Sequence, residues 1–584
     1  MKQHEIDAYI VTDSDPHASE YTAMHWKART WVSGFSGSNG TMVVTMSEAL
    51  LWTDGRYYIQ AENQMQGTGI ILMRSGEPET VNHQQWLLEH VKQFGCIGFN
   101  GKVFSAAEYL SLTNIVKQKE IRVVTEYDLI QQLWTQDRPP LPDDVIFCHE
   151  MKYAGVTAKE KINDVRIGMK RQNAEYALIS GLEDICWLMN FRGNDIPYLP
   201  VAYAFAFISD KEAHLYIESH KIPEEMKDAF MLDGISVFEL DAITKTLQAL
   251  PEGTSLLYDA NKTNCWLYSA LAKGIRKLPD EELTVKLKAL KNPVEIQNYR
   301  ECQIRDGVAM VRFLIWLEKE IEVKDGLLKE WDVVCKIKEL RAKVLHNRGE
   351  SFGTIVGYGP NGAMMHYAPT EKDCSALYNK GLMVVDSGGQ YLDGTTDITR
   401  TIAFKECTAE EKKDFTLTLK AHISLASARF LYGATGQQID VVARKIMWDE
   451  GLDYKSGTGH GVGYFLGVHE GPQSISMRAQ NTARLEENMI VSIEPGVYKE
   501  GKHGVRIENI ARICEDFCNE CGRFMKFEIL SLCPISFSGI DIALLDEKEK
   551  LWLNAYHKKV FELLSPFLDE AEAAWLKRST KAIA

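Results

Sequence analysis

Between Asp386 and Glu508 this chain places carboxylates inside its most apolar, strand-like stretches. Asp386 ends the run Leu382-Met-Val-Val, and Asp397 is followed at once by the β-branched ITRTI. Glu494 interrupts IVSIEPGVY, and Glu508 lies in VRIENI. A lone buried carboxylate is costly and must find a counter-charge or a proton. Any fold open to this chain must therefore bring these acids to a shared positive partner. Arg506, two residues before Glu508, can neutralise one of the four but not all.

The spacing supports convergence. Asp386 and Asp397 flank two turn signals, Gly388-Gly389 and Asp393-Gly394, so a hairpin would return one toward the other. Asp393 reads as an ordinary turn residue. Strand alternation puts Arg506 and Glu508 on one face, with Val505 and Ile507 on the other. His460 sits among Gly457, Gly459, Gly461 and Gly463, which clear side chains from around it. Four clustered carboxylates repel one another unless protonated or bridged by cations. Their charge suits two divalent metal ions. Oxygen-rich ligation with one imidazole favours Mn2+, with Co2+, Fe2+ and Zn2+ as alternatives. Two such ions roughly 3.5–4 Å apart can activate one water, a device aminopeptidases use.

The remainder of the 584 residues is too long for one core. Near the start, DAYIVT, WVSGFSGS and LWTDGRYY each find an echo in AEYALIS, CWLMNFRGND and AHLYIES, after a polar helix over 157–172. This predicts two related α/β domains, 1–150 and 151–290. Asn292-Pro293 reads as a helix cap and first turn opening an α+β domain over 291–584. Helices are predicted over 327–347, 410–431 and 436–448, and in the charged tail after Asp546. Single strands are predicted for MIVSIEPGVY and GVRIENIARI.

Several functions are excluded. With 66 Lys and Arg against 81 Asp and Glu, a net charge of -15 makes the chain a poor nucleic-acid binder. The longest apolar run, Val201 to Ile208, is strand-length, which predicts no membrane span. The start, MKQHEIDAYIVTDSD, lacks the basic-then-apolar pattern of a signal peptide, and isolated cysteines suit a reducing compartment, so a cytoplasmic protein is expected. Gly357, Gly359 and Gly362 form a GxGxxG, but the following AMMHYAPTEKD lacks the helical period a dinucleotide site needs. Cys514, Cys518 and Cys521 read as part of a polar turn between strands rather than a zinc site.

Taken jointly, HYAP, the DSG…DGTTD hairpin, TGHGVG…VHEGP, EPGVY and RIEN resemble the metallopeptidases of the pita-bread fold. Within these, the chain resembles the long, three-domain form of Xaa-Pro aminopeptidase, peptidase family M24B, across nearly its whole length. SGFSGSNGT and LWTDGRYY match that form's first domain, and CWLMNFRG its second. The resemblance implies two creatinase N-terminal-like domains before a pita-bread catalytic domain. It implies release of an N-terminal residue that precedes proline, a peptide substrate and a homodimer. Prolidase-type dipeptide cleavage and a non-catalytic binding protein are the competing readings.

By the same resemblance, Asp386 would chelate one metal, Asp397 and Glu508 would bridge both, and His460 and Glu494 would hold the other. His366 would steady substrate and transition state, and His469 would bond the carbonyl beside the proline. Glu494 would accept the proton of the attacking water. Arg506 would orient carboxylates, and Arg56 would reach the substrate. One departure stands out. Many relatives carry a histidine four residues before the metal-binding one, where this chain has Ser456.

Overall fold

The computed structural model describes residues 1–584. The chain divides into two compact units, Met1–His149 with Val156–Thr284, and Glu150–Gly155 with Val285–Ala584. No helix is long and apolar enough to cross a membrane.

The first unit holds two six-stranded sheets of one design. In the first, the strand Ala8–Thr12 pairs antiparallel with Thr41–Thr45 on one side and parallel with Cys96–Gly98 on the other. Ala49–Asp54 and Ile71–Ser75 extend one flank, and Arg122–Val124 the other. In the second, Tyr176–Ile179 takes the place of Ala8–Thr12. It lies antiparallel to Phe205–Ser209 and parallel to Ser255–Tyr258, with Ala213–Tyr216, Ile235–Phe238 and Arg276–Pro279 outside them. Order and sense agree strand for strand, and the echoed segments DAYIVT and AEYALIS supply the same central position. The repeat is thus a repeat of topology. Each sheet carries its own core, Ile10, Val43, Trp52 and Ile97 in one, Leu178, Phe205, Phe207 and Leu256 in the other.

The second unit opens on the 31-residue helix Pro293–Val323, capped by Asn292 reciprocally with Glu295. Its central three-stranded sheet runs Ile355–Tyr358, Leu382–Ser387, Ile398–Ala403, all antiparallel. Met383 and Val385 point into a core with Phe313 and Ile337, which leaves Asp386 on the opposite face. A six-stranded sheet follows, ordered Phe430–Leu431, Gly522–Ile529, Asn509–Asn519, Ile490–Ile493, Gly459–Gly461, Glu470–Ile475.

Local pattern and structure part company in two places. The predicted helices over 327–347 and 410–431 are shorter, Glu330–Ala342 and Ala409–Ala426. Residues beyond them are taken by strand pairing, Asn347–Glu350 with Gly389–Tyr391 and Phe430–Leu431 with Gly522–Ile529. MIVSIEPGVY and GVRIENIARI each break into two strands. Ile493 pairs with Asn509 in the six-stranded sheet, whereas Gly496 pairs with Arg506 in a separate two-stranded ribbon. Pro495 has no N–H to donate to a ladder, so the pairing lapses there. Glu494 and Glu508 both fall in that lapse.

Gly359–Ala363 is a short 3-10 turn with no helix after it. Cys514, Cys518 and Cys521 lie along a surface hairpin, and all twelve cysteines are free. The tail forms the helix Glu547–Leu564, capped by Asp546.

Candidate metal centre

The hairpin register sets Asp386 opposite Thr399 and Ser387 opposite Ile398, so Asp397 enters the return strand beside Asp386. Both aspartates are buried. Asp393, in the intervening turn, is buried against Arg305.

His460 comes from the short strand Gly459–Gly461, wedged between two others. A Cβ at Gly459 would lie 2.0 Å from the Ser492 carbonyl, and one at Gly461 2.0 Å from the Glu470 carbonyl. Only glycine permits these approaches, which seat the imidazole against the acids. Its Nδ1 lies 2.9 Å from the Gly461 carbonyl and donates there, so Nε2 faces inward. That atom is 3.4 Å from Asp397 Oδ2 and 3.3 Å from Glu494 Oε1. Ligand atoms of Asp397, His460 and Glu508 all fall within 4.8 Å of one another.

Neutral donors hold the carboxylates in place. Ser492 Oγ donates to Glu494 Oε1 at 3.1 Å, and Thr399 Oγ1 to Glu508 Oε2 at 2.6 Å. Arg506 donates from Nη2 to Asp386 Oδ2 at 2.7 Å, from Nε to Thr399 at 3.1 Å and from Nη1 to Tyr498 at 2.7 Å. It is the guanidinium bonded to a carboxylate of this set, as its position in VRIEN suggests.

One cation among four acids leaves a charge imbalance, and the proton affinities record it. Burial, then the charges of Asp397, Glu494 and Asp386, push Glu508 well above the usual carboxylate range. Burial lifts Asp386 to about 6, with Arg506 opposing and Asp397 adding to the rise. Burial works against charge on His460, yet Asp397 and Glu494 outweigh it and raise the imidazole to about 9. A site that favours protons in this way is one that divalent cations would compete for.

The two catalytic-histidine candidates flank this cluster differently. His469 is exposed, and its ring stands 4.4 Å from that of His460 at 87°. The next residue, Glu470, is buried against Lys288 and Lys291. His366 is exposed in the turn after Gly359–Ala363, beside Tyr367, whose hydroxyl donates to Glu330 at 3.0 Å.

Comparison with known proteins accounts for this arrangement. Residues 297–515 match the model of metallopeptidase family M24, and 523–583 that of the C-terminal region of peptidase M24. Residues 1–133 and 137–295 each match a creatinase/prolidase N-terminal domain. The probable Xaa-Pro aminopeptidase P of Laccaria bicolor is 38% identical, across 99% of this chain and 91% of its own. Aminopeptidase P2 of Arabidopsis thaliana is 37% identical, across 99% and 86%. The crystal structure of X-prolyl aminopeptidase from Caenorhabditis elegans, a cytosolic enzyme with a di-nuclear active site, superposes with a TM-score of 0.92 at 34% identity. That match covers 99% of this chain and 95% of that one. The chain belongs to metallopeptidase family M24 and, within it, to the Xaa-Pro aminopeptidases.

The donor set fits the dinuclear metal site of this family. Asp386 Oδ1 and Glu508 Oε1 are buried without any hydrogen-bond partner, while the second oxygen of each is bonded. Unpartnered carboxylate oxygens beside an imidazole lone pair are what divalent ions require.

Two further positions singled out in the sequence have surroundings of their own. Arg56 belongs to the first unit, where it makes a two-point ion pair with Asp54 at 2.8 and 2.7 Å and stays partly exposed. Ser456 lies in the loop before His460, and its Oγ is buried without a hydrogen-bond partner. That loop is gripped by Arg444, which donates to the carbonyls of Tyr454 and Ser456 at 2.7 Å each. Sequence reasoning missed Thr399, Ser492, Arg444 and the Lys288–Lys291 pair. The lysines left a signal, two cations spaced three apart in LKALKNP, but nothing local pointed to Glu470.

Proposed function

We propose that this M24 metallopeptidase releases the N-terminal residue from peptides with proline in the second position. The observation that carries the reading is the convergence of Asp386, Asp397, His460, Glu494 and Glu508, with two carboxylate oxygens left unpartnered. The end-to-end likeness to Xaa-Pro aminopeptidases supports the substrate class.

In this reading Asp386, Asp397, His460, Glu494 and Glu508 would hold two divalent ions, with Asp397 and Glu508 serving both. When bound, the ions would supply Lewis acidity toward the scissile carbonyl and lower the pKa of a bound water. The chain's own groups do the rest. Glu494, held by Ser492, accepts a proton from the attacking water. His366 and His469 donate hydrogen bonds to substrate, His469 to the carbonyl beside the proline, and both steady charge that develops in the transition state. Arg506 keeps Asp386 ionised and oriented. Proline offers no N–H, so its subsite needs shape rather than an acceptor. Arg56 is assigned a substrate contact, a role supported by the family resemblance alone.

Mn2+ is the proposed metal, supported by the oxygen-rich donors. A homodimer and a cytoplasmic setting complete the reading. The first rests on the resemblance, and the second is supported by the cytosolic relative from Caenorhabditis elegans. We place domain boundaries at 1–150, 151–290 and 291–584. The family matches over 1–133, 137–295 and 297–515 support that division.

Purified protein loaded with Mn2+ tests the proposal on three substrates: an Xaa-Pro dipeptide, an Xaa-Pro-Yaa peptide and a matched Xaa-Ala-Yaa control. Cleavage of Xaa-Pro-Yaa with the control untouched is expected. Cleavage of the dipeptide alone would make the enzyme a prolidase, and equal cleavage of the control would remove the proline requirement.

A further inference from the structure

Arg400 is a buried cation whose hydrogen-bond partners are all neutral. It lies in the strand Ile398–Ala403 and is 2% exposed. Nη1 donates to the carbonyls of Glu508 at 2.7 Å and Thr399 at 2.9 Å. Nη2 donates to Asn509 Oδ1 at 2.8 Å, the Cys533 carbonyl at 2.8 Å and the Tyr556 hydroxyl at 2.7 Å. Nε donates to the Pro534 carbonyl at 3.1 Å. A guanidinium presents a rigid fork of donors, so fixing one side of it aims the other.

The fixed side is the helix Glu547–Leu564, the C-terminal helix but one. Tyr556 on this helix is buried, with its ring stacked on Trp552 at 5.4 Å. Its hydroxyl also lies 3.0 Å from the Cys533 carbonyl and 3.1 Å from that of Ser531. The aimed side is the backbone of the metal centre. Arg400 holds the carbonyl of Glu508 itself, and that of Thr399, whose hydroxyl holds the Glu508 carboxylate.

The same network reaches the second glutamate. Asn509, which accepts from Arg400, donates from Nδ2 to His422 Nε2 at 2.9 Å. His422 is fully buried and donates from Nδ1 to the Ile493 carbonyl at 3.1 Å, one residue before Glu494. Glu494 and Glu508 sit where the pairing between their own two segments lapses beside Pro495. Their amides donate to other segments, Glu494 N–H to the Thr458 carbonyl at 2.8 Å and Glu508 N–H to the Thr399 carbonyl at 3.1 Å, and the network adds a hold on the carbonyls of Ile493 and Glu508.

We propose that Tyr556 is a positioning residue for Glu494 and Glu508, acting through Arg400, Asn509 and His422, so that the helix Glu547–Leu564 sets the metal centre. The inference rests on the reading of those two glutamates as metal ligands.

The test is Tyr556→Phe, which keeps the ring stacked and removes only the hydroxyl. Mn2+ alone is titrated into metal-free wild type, Tyr556→Phe and Val560→Ala by calorimetry, alongside thermal unfolding. Val560 is buried on the same helix and outside the network, so it reports packing alone. Tyr556→Phe is expected to bind Mn2+ roughly 10-fold more weakly, with kcat reduced and KM within about twofold. Val560→Ala is expected to lower the melting temperature and leave Mn2+ affinity unchanged. Wild-type Mn2+ affinity and kcat in Tyr556→Phe would overturn the proposal, as would an equal loss of affinity in Val560→Ala. If wild type itself binds no Mn2+, the ligand reading falls and takes this inference with it.

Discussion

The guanidinium of Arg506 bonds one oxygen of Asp386 at 2.7 Å, while the other oxygen is buried with no hydrogen-bond partner. One face of the carboxylate is thus committed to the protein, and the other is kept for a cation. Arg506 also reaches Tyr498 and Thr399, so its planar fork fixes direction as well as charge. Arg506→Lys keeps the charge and loses the fork. It is expected to lower kcat/KM by roughly 10-fold with the melting temperature nearly unchanged. Steady-state kinetics beside a thermal scan checks this, and an unaltered kcat/KM would show that the fork is dispensable.

Glu508→Gln separates the cost of the acid cluster from its use. Burial and three neighbouring carboxylates act against ionised Glu508 when no metal is bound. The neutral variant is expected to melt at or above wild type without metal. It should lose most of the rise in melting temperature that Mn2+ is expected to give wild type. Activity should fall by roughly two to four orders of magnitude. Melting curves with and without Mn2+ decide the point, because a full metal-induced rise in the variant would remove Glu508 from the ligand set.

Chelation makes a companion case. Exhaustive treatment with a strong chelator, followed by gel filtration, is expected to abolish turnover, and added Mn2+ to restore it. Elemental analysis of the restored enzyme should find close to two metal ions per chain, as the five-residue donor set implies. Turnover that survives chelation would remove metals from the reaction.

Ser456 bears on the pH profile. Its hydroxyl does not titrate near neutrality, whereas the histidine that many relatives carry there does. Ser456→His is expected to add an inflection to kcat/KM near the ordinary histidine pKa of about 6.5. Profiles of the two enzymes that coincide across pH 5–8 would separate this position from the substrate pocket.

The acids could be read from the sequence because each interrupts an apolar strand, where an unpaired charge is costly. The repeat of two α/β domains was equally open to reading, since each sheet's first strand and hairpin come from short, echoed segments. What stayed hidden depends on pairing across long stretches. Lys291 meets Glu470 from 179 positions away. The lapse in which Glu494 and Glu508 fall exists only because Ile493 finds Asn509 while Gly496 finds Arg506. Arg400 could be flagged as a cation in a β-branched strand, but its partners come from three later segments of the chain.

Another buried acid, Glu282, far along the sequence from these ligands, is expected to make the stability of its surroundings in the first unit depend on pH. Glu282 accepts hydrogen bonds from the amides of Ser180 at 2.6 Å and Gly181 at 3.0 Å. Burial first, and then the charge of Asp184, push its carboxyl up to about 8, against the pull of those amides. The folded pKa lies above the ordinary value of 4.5, so the folded state holds a proton that the unfolded chain releases. Its contribution is complete below about pH 4.5 and is lost as pH rises toward 8. Glu282→Gln keeps an acceptor for both amides and removes the titration. A chain this long does not unfold in one step, so the readout is local: amide hydrogen exchange in the helix Leu182–Leu188. After correction for intrinsic rates, wild type is expected to open roughly several hundred-fold more readily at pH 8.5 than at pH 5 if the opening exposes Glu282 fully, with Glu282→Gln flat across the range. An equal slope in both proteins would mean that the Glu282 carboxyl is ionised throughout.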